Sequence, residues 1–256
     1  MLFADDLQIY LSGPPKELDA TNARINVDVL AVSDWARKSG PLLSVLKTQA
    51  MIVASDQRRM LLHGPFVPII LDGVFVSYEN KISNLGLMIK SNLSWDSQIS
   101  AISTRVHGVL HRLRARSRVL STGVRRLLAS ALVLLNFDYA YIVFPVLTDE
   151  LETKLRRLLN TAIRFVFDLH RDARMLPYQR TLGWLTPSSR RNYFVAVQAH
   201  RVLRQGRLAY LQDMLTRRPP MDRALRSSAR DVLSVPFADK ETYKRGFVVR
   251  GFTLLE

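Results

Sequence analysis

The sequence predicts an α+β protein in which a small mixed region precedes a mainly helical, strongly basic one. In the short segments near the amino terminus, apolar residues alternate with polar ones, which is the period of a half-buried strand. From Ser94 onward they recur every three or four residues, which is the period of a helix with one buried face. Charge follows the same division. Residues 1–40 carry four basic and six acidic side chains, a net charge of −2, whereas the whole chain carries +15.

The mixed region is predicted to contain a β-hairpin, a helix and several short strands. The segments expected to be strands are residues 2–4, 7–10, 48–54, 67–71, 74–78 and 85–89. Asp72-Gly73 suits a two-residue hairpin turn, because this dipeptide readily supplies positive φ angles. The expected helix buries Ile25, Val29 and Ala36 on one face and is capped by Gly40.

Four helices are predicted in the basic region. Ser94 is the expected N-cap of the first, whose apolar stripe includes Trp95, and the second begins at Thr122. The third begins at Thr148, and Thr186-Pro187 opens the fourth in the favoured order of hydroxyl cap and proline. The predicted divisions are residues 1–92, residues 93–216 and a linker with a weakly structured tail at 217–256.

Composition points to a polyanionic partner. The estimated pI is about 10.6, and arginine, which grips phosphate bidentately, outnumbers lysine in the basic region. A solvated basic surface is the alternative. The candidate nucleic-acid-binding residues are Arg105, Arg112, Arg114, Arg116, Arg118, Arg156 and Arg157.

Several classes of protein are disfavoured. The chain has no cysteine, which excludes disulfides, thiol catalysis and cysteine zinc sites and fits an intracellular location, nuclear or cytoplasmic. The acidic amino terminus is unlike a secretory signal. Residues 127–147 are apolar enough to suggest a membrane span, but Asn136, Asp138 and Pro145 favour a buried helix followed by a turn.

Two sets of side chains could hold a metal ion. Asp5 and Asp6 place adjacent carboxylates at a predicted hairpin tip, and carboxylate oxygens fixed in this way suit Mg²⁺. By itself, such a pair is more often a solvated turn. His107 and His111 stand four residues apart on a helix, but neighbouring arginines favour placing them on the basic face.

Residues 3–10, Phe-Ala-Asp-Asp-Leu-Gln-Ile-Tyr, resemble the aromatic-Ala-Asp-Asp hairpin of reverse transcriptases in LINE-like and jockey-type insect retrotransposons. The next motif of that family resembles the segment from Ser33-Asp34-Trp35 through Lys47-Thr48. In this segment Ser44 stands where asparagine is usual. Further resemblances, in the same order, are Asn84-Leu85-Gly86, Leu93-Ser94-Trp95, Leu182-Gly183-Trp184 and Arg190-Arg191.

The resemblance implies RNA-directed DNA polymerase chemistry. Asp5 and Asp6 would be the metal ligands for Mg²⁺, and Lys47 would protonate the departing pyrophosphate. Leu85 and Gly86 would shape the primer grip. Residues 1–92 would be the carboxyl-terminal part of the palm, and the basic helices would form a thumb over the template–primer duplex. The implied partners are an RNA template and an RNA–DNA or DNA duplex. The alternatives are a surface lysine for Lys47, a core strand with a bulge glycine for Leu85-Gly86, and core positions for the tryptophans.

The resemblance also shows what is missing. The family needs an earlier palm aspartate and the fingers, and no segment of the sequence resembles either. We therefore expect a catalytically incomplete fragment that retains binding to a nucleic-acid duplex. The alternative function is a non-enzymatic basic helical scaffold that binds proteins or anionic membrane surfaces.

Overall fold

The structure is a computed structural model that describes residues 2–3, 6–60, 66–205, 211–212, 241–244 and 246–255. It is mixed helix and sheet, with a few short antiparallel strands, in agreement with the α+β prediction. The chain divides into two compact units, Met1–Ser97 and Gln98–Glu256. In the part of the chain that the structure describes, all strands lie in the first unit.

Three antiparallel hairpins form the sheet structure described in the first unit. Their strands are β1 (Leu2–Phe3), β2 (Asp6–Leu7), β3 (Ile69–Leu71), β4 (Val74–Val76), β5 (Lys81–Asn84) and β6 (Leu87–Lys90). The hairpin turn at Asp72-Gly73 is confirmed, with φ angles of 49° and 79°. Ile69, Leu71 and Val76 form a small apolar core against the helix that precedes them in the chain.

That helix, α1 (Leu18–Ser39), supplies polar groups to the edge of β3. Asn26 accepts a hydrogen bond from the Ile70 backbone N–H (3.0 Å) and donates one to the Pro68 carbonyl (2.9 Å). Asn22 donates to the Val67 carbonyl, and Asp19 accepts from the Val67 backbone N–H, both at 2.9 Å. Because an unpaired strand edge exposes backbone groups, these side chains act in place of a third strand.

The predicted apolar face of α1 is confirmed, and so is its end. Ala36 is buried, Ile25 and Val29 pack on the β3–β4 core, and Gly40 caps the helix in the left-handed conformation. Trp35 is 56% exposed, so its prediction as a core residue is wrong. It precedes buried Ala36 by one residue, which in a helix turns the side chain about 100° away.

The predicted strand at residues 48–54 is wrong. The preceding segment closes a 3-10 turn at Val45–Lys47, and a single parallel bridge joins Ala50 to Tyr78. The Ala50 carbonyl accepts from the Glu79 backbone N–H at 2.8 Å, and Ala54 donates to the Ser91 carbonyl at 2.9 Å. A one-turn helix, α2 (Asp56–Arg59), follows. These isolated hydrogen bonds hold the segment extended without a ladder.

The second unit is helical in the part of the chain that the structure describes. Its helices are α3 (Asp96–Arg114, which starts in the first unit), α4 (Thr122–Leu128), α5 (Leu135–Asp138), α6 (Asp149–Phe167), α7 (Met175–Leu182), α8 (Pro187–Gln205), α9 (Glu241–Lys244) and α10 (Phe247–Leu255). The four predicted helices correspond to α3, α4, α6 and α8. Sequence patterning did not predict α7.

The starts of these helices depend on short polar side chains. Ser121 accepts from the Val124 backbone N–H, and Thr186 accepts from the Ser189 backbone N–H at 3.2 Å. α3 begins at Asp96, and the Ser94 hydroxyl donates to its carboxylate at 2.6 Å. That hydrogen bond, with Lys90 nearby, holds the pKa of Asp96 below its usual value.

Residues 127–147 form a packed helical segment followed by a turn, as predicted. Between α4 and α5 the chain takes a π-helical form at Ala129–Leu134, and Ala129, Val133 and Phe137 are buried. Among the described residues, we find no helix both long and apolar enough for a bilayer.

The region predicted as a linker and weakly structured tail lies partly outside the described residues. Its described part contains α9 and α10, and α10 packs on α8. A Cβ at Gly251 would lie 3.1 Å from the Ala199 Cβ, so glycine allows these helices to approach closely. Arg250 donates to the Asn192 side chain at 3.1 Å across the same contact.

The edge contacts of Asn26 predict a measurable cost for their removal. We expect Asn26→Leu to lower the free energy of unfolding by about 1–3 kcal/mol, because the Pro68 carbonyl and the Ile70 backbone N–H lose their partner. Urea denaturation measures this change. Arg24→Ala, at an exposed position of the same helix, is the control and should change stability by less than about 0.5 kcal/mol. Equal effects of the two variants would contradict the edge role.

Candidate nucleic-acid interface

The acidic hairpin is partly described. Phe3 pairs with Asp6 across β1 and β2, and the Asp6 side chain is exposed. Asp5, the other predicted metal ligand, lies outside the described residues. Among the described residues, no group of three or more potential ligands is placed to hold a metal ion. The geometry therefore supplies one exposed carboxylate at this hairpin, and a Mg²⁺ site there remains a prediction.

A hydrogen bond joins two of the motifs on which the family resemblance rests. Gln8, which follows the acidic hairpin, donates from Nε2 to the Asn84 Oδ1 at 2.7 Å. Asn84 is the last residue of β5 and immediately precedes Leu85-Gly86. The contact places the predicted primer-grip turn beside the chain that leaves the acidic hairpin, although the two lie 76 residues apart in sequence.

Leu85 and Gly86 form the turn between β5 and β6, with φ angles of 46° and 77°. This excludes the alternative of a core strand with a bulge glycine. Leucine at positive φ costs about 1–2 kcal/mol, and the first position of such a turn favours asparagine or glycine. Leu85 is also 39% exposed, so burial does not fully explain why a leucine occupies this turn position. A strained, exposed apolar residue at a hairpin tip suits a contact with a ligand.

Lys47, the third predicted catalytic residue, ends the 3-10 turn Val45–Lys47 and is exposed. Its backbone N–H donates to the Ser44 carbonyl at 3.1 Å. Ser44 stands where the family usually has asparagine. The described geometry does not link Lys47 to Asp6 or to the Leu85-Gly86 turn.

Exposed arginines cluster at the carboxyl end of α3. Arg112 and Arg114 occupy its last turn, and Arg116 and Arg118 follow in the next four residues, all exposed. Arg105 lies two turns before Arg112 on the same side of the helix and is also exposed. We call these five residues the α3 arginine cluster. Together they present five guanidinium groups, which suit phosphate oxygens.

Arg125 fixes the loop that carries the end of this cluster. Its guanidinium donates to the Ser117 carbonyl at 2.7 Å and to the Leu120 carbonyl at 3.1 Å. It also lies 3.6 Å from the Asp168 carboxylate and over the Phe165 ring. Arg125 is therefore a positioning residue, and sequence reasoning missed it because only its contacts distinguish it from neighbouring Arg126.

α6 contributes two more exposed arginines, Arg156 and Arg157. The start of the same helix is acidic, and Glu150 is paired with Lys154 at 2.7 Å. That pair holds the pKa of Glu150 below its usual value through the Lys154 hydrogen bond. The positive surface of α6 is therefore limited to the part beyond its first turn.

Arg190 and Arg191 resemble a family motif, and both form ion pairs inside the second unit. Arg190 pairs bidentately with Asp138 of α5, and Arg191, only 1% exposed, pairs with Glu152 of α6. Neither arginine is thus a candidate for phosphate binding. One feature of the sequence could have predicted the Arg190 pair. Asp138 lies in an apolar stretch, and a charge within an apolar helix needs a partner.

Burial lowers the pKa of one of these two arginines, and pairing with an acid raises the pKa of the other. Burial lowers the pKa of Arg191 to about 10, and the positive charge of Arg250 adds to the effect. The hydrogen bond from Arg190 to Asp138 raises the pKa of Arg190. Burial also raises the pKa of Tyr141, whose buried hydroxyl has no hydrogen-bond partner among the described residues. At neutral pH both arginines stay charged, so their acids are needed as counter-ions.

The Leu182-Gly183-Trp184 motif ends α7. The Trp184 backbone N–H donates to the Gln179 carbonyl (3.2 Å) and that of Gly183 donates to Arg180 (3.0 Å), a Schellman cap. Trp184 is buried and Trp95 half-buried, so both belong to the packed interior as predicted. The motif therefore has a structural explanation.

His107 and His111 are exposed on α3. No third potential ligand accompanies them among the described residues. They lie on the same stretch of helix as the α3 arginine cluster, and their place on the basic face agrees with the interpretation of the sequence.

Comparisons with protein-family models, with curated proteins and with solved structures found no match to this chain. The resemblance to reverse transcriptases therefore rests on the motifs described above.

The Arg191–Glu152 pair predicts a large loss of stability when one partner is removed. We expect Glu152→Gln to lower the free energy of unfolding by about 3–5 kcal/mol, because it leaves a buried cation without its counter-ion. The double variant Glu152→Leu/Arg191→Met should recover most of this loss. Thermal and urea unfolding measure both. Glu150→Gln, which breaks an exposed pair on the same helix, should cause no measurable change, and a matching loss there would contradict the prediction.

Proposed function

We propose that this chain is part of a non-LTR retrotransposon reverse transcriptase and that its helical unit binds the phosphate backbones of an RNA–DNA duplex. The α3 arginine cluster carries the proposal. Five exposed arginines within fourteen positions of one helix and the loop after it concentrate positive charge on a short part of the chain. Phosphate contacts of this kind position a duplex without reading its sequence.

Fixed geometry supports binding over a merely solvated basic surface. Arg125 holds the loop of Arg116 and Arg118 through two carbonyl groups and is itself anchored by Asp168. Less conformational entropy is then lost when the exposed guanidinium groups bind phosphate. A surface needed only for solubility has no use for such an anchor.

The acidic hairpin would supply the metal-dependent step of the family. Asp5 and Asp6 would hold Mg²⁺ together with nucleotide phosphates, and Lys47 would lie near the leaving group. The Gln8–Asn84 hydrogen bond supports a shared role for the hairpin and the Leu85-Gly86 turn. From the resemblance, we propose polymerase chemistry for these residues only in a complete polymerase, and from the arginines we propose duplex binding by this chain.

Fluorescence anisotropy with a labelled RNA–DNA duplex of about 20 base pairs tests the binding. Between about 50 and 200 mM salt, the affinity of the unaltered chain should fall steeply, because phosphate binding releases counter-ions. Replacing Arg112, Arg114, Arg116 and Arg118 with glutamine should weaken binding at least about tenfold. It should also lower the slope of log affinity against log salt by about 3–4.

A matched control removes the same charge elsewhere. Arg171, Arg174, Arg201 and Arg204 are exposed residues of the second unit outside the cluster, and the four changes to glutamine also lower the net charge by four. Binding by the control variant should stay within about threefold of that by the unaltered chain. Equal losses in both variants would indicate general electrostatic attraction and contradict the proposed interface. Flotation with anionic vesicles but no duplex binding would favour the membrane-binding scaffold.

A further inference from the structure

The helical segment formed by α4, Ala129–Leu134 and α5 has an exposed apolar side. Val124, Leu127, Leu132 and Leu135 are 42%, 67%, 43% and 66% exposed, and Ala131 between them is exposed as well. Their spacing places them on one side of the helix, opposite the side that is buried in the second unit. We call these five residues the apolar face. Contiguous exposed apolar surface on a folded protein usually marks a binding partner.

The charge pattern restricts the partner. From Leu127 to Phe137 the sequence has no charged residue, although the chain as a whole carries +15. Two copies of so basic a chain repel each other over most surfaces. At the apolar face, two copies can meet without placing arginines opposite each other.

We propose that a second copy of this chain covers the apolar face, with the two helical segments antiparallel about a two-fold axis at Ala131. Leu127 and Leu135 stand four residues before and after Ala131, so in such a pair each Leu127 meets Leu135 of the second copy. An isologous interface requires this reciprocity. Alanine at the axis lets the two helices approach closely.

The size of the face fits a dimer. The exposed fractions of the five residues amount to roughly 450 Å² in each copy, so pairing would bury at most about 900 Å² in total, the size of a small, weak interface. Apolar association persists in salt that weakens phosphate contacts. Self-association is therefore separable from duplex binding and does not depend on the proposed function.

Analytical ultracentrifugation of the full chain, freed of nucleic acid and held in about 0.5 M salt, tests the proposal. The unaltered chain should dimerise below about 100 μM. Leu127→Glu/Leu135→Glu should weaken dimerisation at least about tenfold, because it apposes like charges. Leu127→Glu/Leu135→Lys apposes opposite charges in the antiparallel pair and should dimerise at least about tenfold more tightly than the double glutamate variant at low salt.

A control places the same charges elsewhere in the second unit. Leu176 and Leu185 are also exposed, so Leu176→Glu/Leu185→Glu should leave the dimer intact. A chain that stays monomeric at about 100 μM, or a dimer that survives the double glutamate change in the apolar face, would overturn the proposal. Circular dichroism of each variant separates loss of pairing from loss of fold.

Discussion

Two ion pairs at the start of α8 organise the second unit. Arg190 reaches Asp138 of α5, and Arg191 reaches Glu152 of α6, so adjacent residues of one helix hold two others. A buried cation without its counter-ion costs several kcal/mol, so the three helices are held in the arrangement that keeps both pairs formed. Apolar packing alone would tolerate small shifts of one helix against another.

Arginines have two different roles in this basic sequence, one inside the second unit and one at its surface. Arg190, Arg191 and Arg125 each pair with an acid inside the second unit, and Arg125 also donates to two backbone carbonyls. The arginines of the α3 cluster remain exposed on a helix and on the loop after it, which Arg125 helps to fix. Part of the strongly basic composition thus serves to assemble the helices, and the exposed part is the surface that we propose binds phosphate.

Sequence patterning predicted the elements whose signals are local. The Asp72-Gly73 turn, the Gly40 cap and the Thr186-Pro187 helix start each depend on residues adjacent in the chain. It failed for residues whose structural role depends on a partner that is distant in the sequence. The asparagines of α1 look like ordinary polar positions until β3 lies beside them, and Leu85 gives no sign of a left-handed turn. In the candidate site, exposed arginines were predictable from helical spacing, whereas Arg125 and the two buried pairs depend on contacts across 5 to 52 residues.

The central claim is that the α3 arginine cluster contacts nucleic-acid phosphates. Arginine modification by phenylglyoxal, with and without an RNA–DNA duplex and followed by peptide mass spectrometry, tests it directly. We expect the duplex to protect Arg112, Arg114, Arg116 and Arg118, while Arg201 and Arg204 react as before. Protection spread evenly over all exposed arginines, or none within the cluster at saturating duplex, would contradict it.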